Sequence, residues 1–217
     1  MPKIIGATIA EHRERTRDAL FGALARLMVE RGFDEISMAD LAAEAGIGRT
    51  AVYNHFADKE EVLMAFVAHE MTEYMDTIQS SLAGHDDPTD KLRIYIRTQL
   101  LTERSYLAAP GPPLKDVISK EAGRKMAEHV RQTAAILTEI LQECMVAGII
   151  PDQDLRVVVQ LVHGTLTGRR VPAEEPARTH FFESTERFVL RAIGLDVPET
   201  LGDLGPIPAP HCTPARR

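Results

Sequence analysis

The chain has 217 residues, 44% of them hydrophobic and 26% charged, and a net charge of −7 at neutral pH. That composition fits one or two globular domains with a sizeable core and argues against a fibrous or mainly disordered protein. The acidic balance excludes a generally basic nucleic-acid coat, so any contact with nucleic acid must come from a local patch.

The two cysteines, Cys144 and Cys212, lie far apart, which excludes a disulfide framework and an all-Cys zinc site within one chain. No apolar run approaches the roughly 20 residues that span a bilayer. The opening residues from Met1 to Gly6 lack the apolar core of a secretory signal, so the expectation is a cytoplasmic protein without a membrane partner.

In chain order, Ala19, Leu20, Ala23, Leu24, Leu27 and Met28 recur at intervals of three and four and predict a helix over 16–31, stopped by Gly32. Phe33 is placed to fold back over the helix end. Ser37-Met38-Ala39-Asp40 has the form of a capping box and opens a short helix through Leu41, Ala42 and Ala45. Gly46-Ile47-Gly48 ends it in a turn, and a third helix runs from Arg49 to Phe56. Asp58-Lys59-Glu60-Glu61 repeats the cap pattern and starts a long amphipathic segment through Ile78.

A fifth helix begins at Asp87-Pro88 with Leu92, Tyr95, Ile96, Gln99 and Leu100 inward. Ala108 to Pro113 reads as a rigid interruption. A short helix with Leu114, Val117 and Ile118 precedes a long one through Met126 and Leu141 to Gly148. From Leu155 to about Arg169 the pattern is that of a buried helix, too long for a usual strand and without a second strand to pair with. Phe181, Phe182, Phe188 and Ala192 mark the last helix, ending near Gly194. From Asp196 onward Pro198, Pro206, Pro208, Pro210 and Pro214, with few large apolar groups, predict a tail that is mobile or loosely docked. The chain therefore reads as all-α, about nine helices with essentially no sheet.

Residues 36–59 read ISMADLAAEAGIGRTAVYNHFADK. A short helix after a tight turn can enter a major groove roughly 12 Å wide and present its first residues to base edges. Arg49 suits a guanine, Thr50 a thymine methyl or polar edge, and Tyr53, Asn54 and His55 reach bases or phosphates. Lys59 and Ser37, at the starts of their helices, suit phosphate. Val52 and Phe56 share the inward face with Leu41 and belong to the core. Gly46-Ile47-Gly48 is not a nucleotide loop, since no strand precedes it and a third glycine is missing.

This stretch resembles the helix-turn-helix of the TetR family of bacterial transcriptional regulators. The resemblance is carried by Ser37, Leu41-Ala42, Ala45-Gly46, the Val52-Tyr53-Asn54-His55-Phe56 block and Asp58-Lys59, and extends over about 12–65. Gly48 stands where that family commonly has Ser or Thr. The resemblance implies an N-terminal three-helix DNA-binding domain (1–57), a helical effector-binding and dimerisation domain (58–195) and a Pro-rich tail (196–217). It further implies a homodimeric repressor, not an enzyme, released from a pseudo-palindromic DNA operator by a small hydrophobic or aromatic effector. An activator or a DNA-binding protein without ligand control would carry the same N-terminal features. An all-α ligand carrier or enzyme is the alternative of a different class.

For the effector, Tyr95, Gln99, His129, Thr133 and His163 are polar groups set into apolar helix faces, and a buried polar group needs a protein partner or a ligand. For the dimer, Gly164 and Gly168 are one turn apart and permit close helix approach, while Phe181, Phe182 and Phe188 supply aromatic area. His129, His163 and His180 lack metal-ligand spacing, and neither a metal nor a cofactor is expected.

Overall fold

A computed structural model describes residues 4–102, 112–169, 171–198, 201–202 and 204–205, with the side chains of 4–9 and 129 excepted. The described residues form nine helices and no strand: α1 (Ile4–Arg31), α2 (Met38–Ala45), α3 (Arg49–Tyr53), α4 (Lys59–Leu82), α5 (Pro88–Leu101), α6 (Leu114–Val117), α7 (Lys120–Val146), α8 (Leu155–Leu166) and α9 (Ala177–Ala192). Among these residues no helix is long and apolar enough to cross a membrane, and no group of three potential metal ligands occurs. The interruption expected over 108–113 falls mostly outside the described residues.

The fold divides into two compact units. The first takes in residues through Glu70 together with 112–127, so the opening turns of α4 and α7 belong to it. Its core is built from Leu20, Leu24, Leu27 and Met28 of α1, Leu41 of α2, Val52 of α3, and Val62, Leu63 and Phe66 of α4. Phe33 closes over the end of α1 and is buried, as its position after Gly32 predicts. Leu114, Val117, Ile118 and Met126 pack against the same core.

Helix α1 begins at Ile4, not at residue 16 as the apolar stripe suggests. Residues 10–15 are exposed, so periodicity gives no sign of them. They continue a helix already anchored by the buried stripe, and propagation from a formed helix costs far less than nucleation. At the other end of the unit α3 stops at Tyr53, short of Phe56.

The second unit comprises 71–102 and the described residues from Glu128 on. Tyr74 and Ile78 of α4, Leu92, Ile94, Tyr95 and Ile96 of α5, Leu137 and Leu141 of α7, Val159 and Val162 of α8, and Val189 and Leu190 of α9 form its core. The segment read as a buried helix is helical, but only partly buried. Val157 and Leu161 are 52% and 66% exposed, while Val159, Val162 and Leu166 face inward. Periodicity reveals that α8 has two apolar faces, not which one the chain itself covers.

Of the two states expected for the tail, its described part is docked. Val197, Leu201 and Leu204 pack against the core, and the Gly202 carbonyl accepts a hydrogen bond from Arg93. A proline-rich segment can dock when side chains from neighbouring helices satisfy its carbonyls, a contact that local composition does not encode.

Candidate nucleic-acid interface

The positioning of α3 starts with its neighbours' caps. Ser37 accepts from the Asp40 amide at 3.2 Å, and the Asp40 carboxylate accepts from the Ser37 amide at 2.9 Å and its hydroxyl at 2.6 Å. Those bonds hold the Asp40 carboxyl below its ordinary range, with Arg31 and Arg49 contributing. Gly46 ends α2 at φ +67, where its amide and that of Ile47 close on the Ala43 and Ala42 carbonyls. A side chain at this left-handed position would be strained although nothing stands within 4 Å of it. Two bridges, Arg26 to Glu44 at 2.6 Å and Arg31 to Asp40 at 3.6 Å, tie α1 to both ends of α2.

On this frame α3 buries Val52 fully, and Phe56 beyond it is buried as well. Arg49, Thr50, Tyr53 and Asn54 are exposed, Tyr53 by 57%, and His55 is half-buried. An exposed tyrosine on a five-residue helix whose valine is fully buried leaves a surface of arginine, hydroxyl, phenol and amide groups suited to base edges and phosphates.

Lys59 is placed otherwise. Its ammonium donates to the Phe33 and Asp34 carbonyls at 3.0 Å each and sits 4.7 Å from the centre of the Phe33 ring. Two of its three donors thus tie the start of α4 to the chain leaving α1. Glu61 donates its amide to Asp58 at 2.9 Å and accepts the Ala57 amide at 2.6 Å, a reciprocal cap at the same helix start. Ser37 and Lys59 were read from sequence for their position at helix starts, and both have polar atoms engaged inside the unit.

In the second unit Tyr95, Gln99 and His163 come together. The Tyr95 hydroxyl lies 2.5 Å from His163 Nε2, and Gln99 donates to the Tyr95 and Tyr74 hydroxyls at 2.9 and 2.7 Å. Tyr74 was missed because it falls on the apolar stripe of α4; its only sequence signal is that a buried phenol requires a partner. Thr133 is buried, with its hydroxyl 3.8 Å from Met71 Sδ. The His129 side chain lies outside the described residues.

The residues expected at a dimer interface separate. Phe188 is 61% exposed and Gly164 faces open space, whereas Phe181 and Phe182 pack against their own core. Gly168 lies beyond the end of α8 at φ +70, so it terminates the helix instead of offering a crossing point along it. Ser184, Arg187, Phe188, Arg191 and Ala192 line a groove on α9. Val157 and Leu161 on α8 are also exposed, and sequence reasoning did not single them out.

Residues 20–66 match the family model described as bacterial regulatory proteins, tetR family. Over these residues the chain carries the N-terminal domain of the tetR-family regulatory proteins. Among its curated relatives, the HTH-type transcriptional repressor Rv1474c of Mycobacterium tuberculosis is 29% identical over 182 residues, 82% of this chain and 92% of the relative. Of solved structures, the fatty acid degradation regulator FadR from Bacillus halodurans matches with a TM-score of 0.65 and 20% identity, over 83% of this chain and 97% of that one. FadR from Bacillus subtilis, in complex with stearoyl-CoA, matches with a TM-score of 0.61 and 20% identity, over 81% and 96%. The protein is a DNA-binding transcriptional regulator.

Proposed function

We propose that the protein is a homodimeric, non-enzymatic repressor acting in the cytoplasm, released from a pseudo-palindromic operator when a small hydrophobic molecule binds its helical unit. The observation that carries the DNA-binding half is the split of α3 and the residues just after it. Val52 and Phe56 are buried while Arg49, Thr50, Tyr53 and Asn54 stand exposed, with His55 at their edge. These five face the major groove, and Ser37 and Lys59 set the frame that presents them. We divide the chain at residues 57/58 and 195/196 by role, DNA reading before and effector binding and pairing after, the turns of α4 up to Glu70 supporting the reading unit.

Tyr74, Tyr95, Gln99 and His163 are the polar anchors for the effector, with Thr133 and His129 on α7 completing the set. The likeness to FadR proteins makes a long-chain acyl thioester the first candidate to try. An effector lowers DNA affinity only by preferring the state whose two heads no longer match successive major grooves roughly 34–36 Å apart. The second copy of the chain meets α8 and α9, where Val157, Leu161 and Phe188 are exposed beside Gly164. Capture and sequencing of the DNA bound in cells, followed by titration of the recovered duplex with and without stearoyl-CoA and a panel of apolar and aromatic compounds, tests the reading. Dyad-symmetric sites released by a compound support it. Absence of salt-dependent duplex binding overturns it.

A further inference from the structure

Helix α5 carries two polar faces. Tyr95 and Gln99 lie on one, and Arg93 and Arg97, also one turn apart, lie about 200° around the helix from them. Arg93 and Arg97 meet Glu186 of α9: Arg93 Nε donates to Oε1, and Arg97 Nε donates to Oε2 at 2.8 Å. Glu186 is 0% and Arg93 3% exposed. Arg93 also donates from Nη1 to Asp90 at 3.1 Å and from Nη2 to the Gly202 carbonyl at 2.6 Å. A buried ion cluster of this kind adds little net stability over an apolar one, because desolvation offsets the attraction. Its directional, charge-assisted bonds instead fix where the joined elements sit.

Three elements are joined here: α5, α9 and a C-terminal strap of residues 195–198, 201–202 and 204–205. After Gly194 the chain buries Leu195, packs Val197, Leu201 and Leu204, and is held at two carbonyls. Arg93 holds Gly202, and Arg187 holds Pro198 at 3.0 Å. Arg187 also lines the groove beside Phe188, two residues beyond Glu186.

We propose that Arg93, Arg97 and Glu186 form a clasp that sets the surface on which a second copy of this chain docks, by fixing α9 and the C-terminal strap together against α5. The strap is a working part of the pairing surface, and α5 links that surface to the side bearing Tyr95 and Gln99. The clasp rests on the homodimer reading above. Its occupant is a second copy because the large apolar groups that α8 and α9 leave exposed, Val157, Leu161 and Phe188, belong to the same unit the clasp organises.

The test uses the full-length protein with Glu186→Gln, Arg93→Met and the milder Arg97→Met, and Lys91→Met as the control that breaks only the α5 bridge to Glu143. Sedimentation equilibrium gives the dimer Kd, and hydrogen exchange reads the amides of Asp196, Val197, Leu201 and Gly202, both at temperatures where circular dichroism shows native helix content. All three clasp variants are expected to raise the dimer Kd and the exchange of the strap amides by about tenfold or more, the control neither. A wild-type dimer whose Kd and strap exchange stay within about twofold in Arg97→Met and Arg93→Met overturns the clasp and leaves the homodimer standing. A wild-type chain that sediments as a monomer overturns the homodimer reading itself.

Discussion

Replacing Lys59 by methionine separates two roles that the sequence leaves superposed. Methionine keeps an apolar stem of similar length over Phe33 but loses the ammonium, and with it the bonds to the Phe33 and Asp34 carbonyls and the contact with the ring. Two such hydrogen bonds at a half-exposed site contribute about 0.5–1.5 kcal/mol each, and an exposed cation over a ring about 0.5–1 kcal/mol. Since water takes up part of what is lost, the expected cost is about 2 kcal/mol. For a chain of this size that lowers the melting temperature by roughly 4–8 °C. Thermal denaturation followed by circular dichroism measures it, and operator titrations between about 50 and 200 mM salt, made well below the transition, measure the ionic contribution to binding. If Lys59 only joins α4 to the end of α1, the melt falls and the salt slope is unchanged. A slope reduced by about one with an unaltered melt would place the ammonium on a phosphate and refute the reasoning.

Arg49→Ala should relax sequence preference by about 1–3 kcal/mol between operator and random duplex, whereas equal loss on both, read by fluorescence anisotropy, rules out base reading. Leu161→Asp or Phe188→Asp should shift the protein toward monomer without loss of helix content, because each puts a charge on an exposed apolar position that only a partner would bury; an unchanged sedimentation profile moves the interface elsewhere. Burial pushes the Cys144 thiol up to about 11 from an ordinary 9.0, so in a Cys212→Ser background the native protein should resist alkylation at pH 8 and react only on unfolding. Folding favours the neutral thiol, and its contribution, complete below about pH 9, is lost as the pH rises through about 11. Gly194→Ala should destabilise far more than Gly46→Ala, since both have positive φ but only at Gly194 would the new methyl meet another side chain, Pro151 Cδ at 2.8 Å; comparable melts would show that this close approach relaxes freely.

The sequence determined what rests on local chemistry. Ser37 with Asp40, Gly46 at the turn and Asp58 with Glu61 set helix boundaries through bonds spanning three or four residues, and α2 and the starts of α3 and α4 fall where those residues put them. The inward Val52 and Phe56 against the outward Arg49, Thr50, Tyr53 and Asn54 were equally legible, because one helical period sorts them. Tertiary structure decided which partners distant residues find. Lys59 reaches carbonyls 25 and 26 positions away, Gln99 finds Tyr74, and Glu186 is claimed by two arginines some 90 positions earlier. It also decided that Val157 and Leu161 stay outside while Phe181 and Phe182 turn in. Periodicity says that a helix has an apolar face, but burial is a property of the surface opposite it, and that surface is assembled from parts of the chain no local pattern can see.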